Sequence, residues 1–85
     1  MNVLYFAWLR EIIGSNQENV NPPKEIDTVI KLISWLKTRS SEHAKALEDI
    51  SIIRVAVNME TVELEHPIKT NDEIAIFPPM TGGYL

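Results

Sequence analysis

Two hydrophobic periods, one of about two residues and one near 3.6, take turns along this 85-residue chain and divide it into elements. The opening run Val3 to Leu9, VLYFAWL, consists of strand formers with too little polarity to show an alternating face, so it predicts a first strand buried on both sides or near the sheet centre. Arg10 to Gly14 reads as a short helical or turn segment: Leu9, Ile12 and Ile13 fall at helical spacing, and Gly14 can take a left-handed stop. The polar SNQEN that follows is a loop, and Val20 can sit in a short second strand before Pro22-Pro23 breaks any ladder.

The clearest helix starts at Asp27 or Thr28, either of which can cap it, and carries Val29, Leu32, Ile33 and Leu36 at i, i+3, i+4 and i+7. Its β-branched residues weaken intrinsic propensity, so it depends on packing against a sheet, with Trp35 off the apolar stripe. Ser41 to Glu48 predicts a second short helix with Ala44 and Leu47 inward. IIRVAVN is a strand, Asn58 to Thr61 a turn, and METVELEH its partner strand. In the last strand, Glu73 to Phe77, Ile74 and Ile76 share one face and Ala75 and Phe77 the other, until Pro78-Pro79 removes two ladder donors.

Strand, short strand, helix, then two or three strands is too few elements for repeated βαβ units. One main helix across one face of a small mixed sheet accounts for them, an α+β, ubiquitin-like β-grasp with the first and last strands as central neighbours. The expected division is a folded domain over residues 1–79 and a flexible tail over 80–85.

Composition narrows the chemistry. A content of 45% hydrophobic residues supports one small core. The absence of cysteine excludes disulfides, thiolate nucleophiles and thiolate metal ligands. A net charge of -4, scattered rather than blocked, disfavours nucleic acid and anionic membranes. With no apolar run near membrane-helix length and no basic leader, the expectation is a cytoplasmic protein whose partners are proteins.

Conventional active-site signals are weak. His43 and His66 are far apart with no metal-site spacing, so no bound metal is expected. Glu63 and Glu65 would share a strand face as paired carboxylates do, but solvated strands look the same. Gly82-Gly83 lacks the lysine and following helix of a phosphate loop. Asp72-Glu73 reads as a charged turn that can also meet a basic partner. Phe77 faces either the core or, if the isoleucines take the helix side, a protein interface.

Two glycines beside the end contribute no packing and lose the most backbone entropy on ordering, so they make sense where a slender thread is needed. The segments VLYFAWLREIIG, VAVN, HPIKTNDEIAIFPP and above all DEIAIFPPMTGG resemble the small subunit of molybdopterin synthase, the ubiquitin-like sulfur carrier of molybdenum cofactor biosynthesis. The resemblance spans nearly the whole chain.

It implies that Gly83 is the terminus that becomes an acyl adenylate and then a thiocarboxylate, with Gly82 its slender neighbour. Phe77, Pro78, Pro79, Met80 and Thr81 would form the approach to partners. It implies no bound cofactor, ATP being used by a separate ubiquitin-activating-like adenylyltransferase. It also implies a sulfur-donating enzyme and a large catalytic subunit that supplies the catalytic side chains in a heterotetramer. The product would be the molybdopterin dithiolene, built on cyclic pyranopterin monophosphate.

One departure stands out. In the family the second glycine is last, whereas Tyr84-Leu85 follow here. Removal by a protease, loss of the donor role, and a non-native addition all account for it, and removal is the expectation because the run up to the glycines fits. Other β-grasp carriers, such as those of thiazole synthesis, and a non-enzymatic ubiquitin-like modifier or interaction module share the Gly-Gly pattern.

Overall fold

The computed structural model describes residues 1–79; the expected tail, including Met80, Thr81, Gly82, Gly83, Tyr84 and Leu85, lies outside the described residues. Five strands form one mixed sheet ordered β2-β1-β5-β3-β4: β1 Asn2–Tyr5, β2 Gln17–Asn19, β3 Arg54–Val57, β4 Glu60–Val62 and β5 Glu73–Phe77. β5 is central and runs parallel to β1, Val3 opposite Ile74 and Tyr5 opposite Ile76, so the first and last strands are neighbours as expected. β3 flanks β5 antiparallel, pairing Val55 with Ile76 and Val57 with Ile74.

This register collects Val3, Tyr5, Ile74, Ile76, Val55 and Val57 on one face, all buried. Helix α2, Val29–Leu36, brings Val29, Leu32, Ile33 and Leu36 into the same core. The start of α2 leaves no orphan donor. Val29 N donates to His66 O (3.0 Å), Ile30 N to Leu64 O (2.9 Å) and Leu32 N to Thr28 O (3.0 Å), while Thr28 Oγ1 accepts from Lys31 N (3.4 Å). Thr28 is therefore the cap; Asp27 instead pairs with Lys31 Nζ at 3.1 Å in solvent, where such a pair adds little.

Five expectations need correction. The VLYFAWL run is not one strand, because β1 stops at Tyr5 and α1 begins at Ala7, running to Ile13. Ala7 takes φ 55°, turning the chain, and Leu9 is buried from the helix instead. Nor is β1 buried on both faces, since Asn2 and Leu4 are half-buried opposite Val3 and Tyr5. The early stop at Gly14 is right: φ is 86° and its N–H bonds Arg10 O at 2.8 Å.

The second short strand covers Gln17–Asn19, and Val20 lies just beyond it. Helix α3 is Ser41–Ala46, and its inward residues are His43, Ala46 and the adjoining Leu47 rather than Ala44. Ser40 decides that phase, because its Oγ caps the helix at His43 N (3.1 Å) and faces His43 Nδ1 at 2.7 Å. β4 ends at Val62, shorter than METVELEH, because Leu64 and His66 turn to offer their carbonyls to the start of α2.

The two-residue β3–β4 turn puts Asn58 at φ 50° and Met59 at φ 73°. Asparagine tolerates that region; methionine does not, and Met59 is 90% exposed, so nothing packed compensates. Met59→Gly should raise stability by about 0.5–1 kcal/mol, the relief of left-handed strain outweighing glycine's added chain entropy. A higher urea midpoint at unchanged slope is the readout.

Candidate functional site

Helix α2 covers one face of the sheet; the strand residues that alternate with the core ones form the other, open face. On the open face the register sets Leu4 beside Ala75, Ala56 beside both Ala75 and Thr61, and Arg54 opposite Phe77. Phe77 is half-buried on this side, since Ile74 and Ile76 take the helix side. Its open alternative is thus settled: it is not a core residue.

Phe6 joins it. Its N–H donates to Ile76 O at 3.1 Å, which carries the β1 edge one residue past the strand, and its ring is 44% exposed. The left-handed Ala7 then turns the chain away, leaving Phe6 out on the sheet rather than in α1. Leu4, Phe6, Ala75 and Phe77 make an apolar surface at the end of the sheet where β5 runs into half-buried Pro78 and Pro79. Phe6 escaped the sequence reading because VLYFAWL shows no face; only the alternation beyond Tyr5 reveals it.

Among the described residues, this end of the sheet is an apolar, aromatic surface. Arg54 stands opposite Phe77, and its guanidinium donates to Ile53 O (2.9 Å) and Ser51 O (3.3 Å). The aromatic surface suits burial in another protein. The last strand therefore ends at Phe77, beside this apolar surface and six residues before Gly83 in the sequence.

On the helix side lies a polar cluster that sequence reading missed. Glu18 Oε1 accepts from Tyr5 Oη at 2.8 Å and from His43 Nε2 at 2.9 Å, with Arg39 Nε 4.0 Å away. A carboxylate can only accept, so His43 Nε2 is the donor to Glu18, and Nδ1 faces the Ser40 hydroxyl. His43 is thus structural, as expected of it. Burial and the Glu18 contact push the Tyr5 hydroxyl strongly upward, keeping it a donor.

Glu18 is opposed by burial, yet the hydrogen bonds from His43 and Tyr5 and the nearby His43 and Arg39 charges hold its carboxyl below the ordinary 4.5. A depressed folded value means its stabilisation is complete above about pH 4.5 and is lost as pH falls from there through the lower folded value. Glu18→Gln should cost about 1–3 kcal/mol at pH 7, since a neutral amide oxygen loses the charge that strengthens both hydrogen bonds and attracts Arg39. The gap between variant and parent should close in acid, as read by urea titration at stepped pH; a gap independent of pH would contradict the carboxylate's role.

The other candidates separate. His66 is half-buried, bonding through its backbone to α2, remote from His43 in role. Glu63 and Glu65 lie beyond β4, both exposed, and form no strand-borne pair. Asp72 is a turn lock: it accepts from Asn58 Nδ2 (2.9 Å) and Lys69 N (2.7 Å), while Asn58 Oδ1 accepts from Glu73 N (3.0 Å).

The site residues Met80, Thr81, Gly82 and Gly83 lie outside the described residues. No helix among the described residues is long and apolar enough to cross a membrane.

Known proteins bear on this arrangement. The ThiS family matches residues 3–83. The molybdopterin synthase sulfur carrier subunit of Escherichia coli (strain K12) is 39% identical over 83 residues, covering 98% of this chain and 99% of that one. A putative molybdopterin converting factor, subunit 1, from Pyrococcus furiosus superposes with a TM-score of 0.76 at 30% identity, covering 93% of this chain and 95% of that chain. The small archaeal modifier protein 1 of Haloferax volcanii superposes with a TM-score of 0.73 at 30% identity, covering 94% and 97%.

Proposed function

The chain belongs to the ThiS family, and from that membership we propose that it is the sulfur-carrying small subunit of a molybdopterin synthase. It donates sulfur from a thiocarboxylate on Gly83 to cyclic pyranopterin monophosphate. The observation that carries the reading is the full-length 39% identity to a sulfur carrier subunit. It is supported by a last strand that delivers the chain, past an aromatic surface, toward Gly82-Gly83.

The chemistry needs no side chain of this protein. A Gly83 carboxylate oxygen attacks the α-phosphorus of ATP held by a ubiquitin-activating-like adenylyltransferase, and pyrophosphate leaves. Hydrosulfide-level sulfur from a separate donor enzyme attacks the activated carbonyl, the C–O bond to AMP breaks and AMP leaves, producing the thiocarboxylate. Each chain then carries one sulfur, so the two sulfurs of a dithiolene consume two loaded chains.

Catalytic side chains belong to the large subunit. This chain contributes docking through Phe6 and Phe77, with Pro78, Pro79, Met80 and Thr81 as the approach. Pro78 and Pro79 cannot donate to a ladder, so β5 ends at Phe77. No cofactor is held, and the setting is the cytoplasm.

A second reading, a ubiquitin-like modifier, is favoured by the likeness to the Haloferax modifier protein. There Gly83 would end in an amide bond to a target lysine. Reconstitution with the large subunit separates the two. A chain ending at Gly83, once thiocarboxylated, should convert the precursor to dithiolene, and one ending at Gly82 should lose nearly all of that activity. Equal transfer by both would exclude Gly83 as the reactive residue.

A further inference from the structure

At the end of the sheet remote from Phe77, where β1 and β5 begin side by side, a cavity of about 360 Å³ opens between Met1 and the segments 20–27 and 68–70. Its floor is apolar. Val20 and Ile68 are buried there and Ile26 half-buried, with Pro22-Pro23 as a wall of fixed φ.

Backbone hydrogen bonds tie these segments to one another. Val20 N donates to Met1 O (2.8 Å), Ile26 N to Pro23 O (3.0 Å) and Ile68 N to Asp27 O (3.0 Å). Lys69 and Asp72 close the last turn reciprocally, Lys69 N donating to Asp72 Oδ2 (2.7 Å) and Asp72 N to Lys69 O (3.1 Å). The cavity is therefore preformed by the fold, as small-molecule sites usually are.

Its rim is made of donors. Lys24 and Lys69 line it together with the Asn21 amide and the Thr70 hydroxyl, all on exposed residues. Neither lysine enters the ion pairs among the described residues, which are Lys31 with Asp27 and Glu18 with Arg39 and His43. Asp27 is the one carboxylate of the lining, and Lys31 Nζ already holds it at 3.1 Å. In a chain of net charge -4, this mouth keeps two unmatched positive charges.

We propose that the cavity binds a small organic anion, a carboxylate or phosphate carried on a compact apolar body. The anionic oxygens take Lys24 and Lys69 at the rim, while the body displaces water from Val20, Ile26 and Ile68. The site goes beyond sulfur carriage and does not depend on it. β5 starts at Glu73 and ends at Phe77, so about 13 Å of strand separates this end from the aromatic surface. An occupant can stay bound while a partner covers Phe6 and Phe77.

The test is an amide-resolved NMR titration of the full chain at low ionic strength with phenyl phosphate, benzoate, inorganic phosphate and benzyl alcohol. At least one aryl anion should saturate with a Kd of about 1 mM or tighter. The amides of Val20, Lys24, Ile26, Ile68, Lys69 and Thr70 should move while those of Ala75 and Phe77 stay, and the tighter anion identifies the head group. Inorganic phosphate lacks the body and benzyl alcohol lacks the charge, so each should bind about tenfold more weakly or worse.

Combining Lys24→Gln with Lys69→Gln should weaken the aryl anion by about tenfold or more. The urea midpoint should hold, because both side chains are exposed and the Lys69 N–H that bonds Asp72 is retained. Inorganic phosphate binding as tightly as the aryl anions would reduce the site to two surface lysines and overturn the proposal. Failure of both aryl anions to saturate, shifts centred on the open face, or full affinity in the lysine variant would overturn it equally.

Discussion

Phe77→Ala will weaken association with the large synthase subunit by roughly 30-fold or more, the effect of losing one interface anchor of about 2 kcal/mol. The isolated fold will stand nearly unchanged. The reasoning is positional. Ile74 and Ile76 occupy the core side of β5, so Phe77 faces the open side, half-buried beside Arg54 and near exposed Phe6. Its truncation opens no cavity in the core, but it removes a rigid aromatic face that a partner would bury.

Calorimetric titration of the two subunits measures the first quantity, and urea unfolding of the small one measures the second. A large drop in the urea midpoint, with affinity unchanged for the molecules that remain folded, would return Phe77 to a structural role. Phe6→Ala should behave in the same direction, because its ring lies on the same face and is more exposed.

Leu32→Ala should cost about 2–5 kcal/mol, the lost transfer energy plus a residual cavity. Leu32 is fully buried at the centre of the α2 stripe, with Val29, Ile33 and Leu36 around it and the sheet beneath. Total stabilities of small domains run to about 5–15 kcal/mol, so this single change can consume much of the margin. The midpoint of urea unfolding should fall steeply with its slope retained. A near-zero shift would mean that α2 does not rest on the sheet through this stripe.

The two expectations differ in how much of each could be read before the fold was known. The Leu32 result was legible in the chain, because four apolar residues at helical spacing over one capped start admit little else. The Phe77 result was only half legible. Alternation placed it opposite Ile74 and Ile76, but which face of β5 met the helix depended on strands far away in sequence. Phe6 was not legible at all, since seven consecutive apolar residues fit a buried strand and a helix equally well.

Local chemistry by itself determined the helix at residues 29–36, the two faces of the last strand, its end at Pro78-Pro79, and the Gly82-Gly83 pair with two residues after it. It also excluded every route that needs a cysteine thiolate. Those features follow from covalent constraint and short-range spacing, which act whatever the rest of the chain does.

Tertiary structure alone decided where β1 stops, how α3 is turned, why β4 is short, and that Tyr5, Glu18 and His43 meet. In each case a partner distant in sequence settled the matter: the Ile76 carbonyl for Phe6, the Glu18 carboxylate for His43, and the bare start of α2 for Leu64 and His66. Local preferences in such segments amount to under about 1 kcal/mol per residue, whereas burying a side chain or leaving a buried polar group unpaired is worth about 1–3 kcal/mol, so the distant contact prevails.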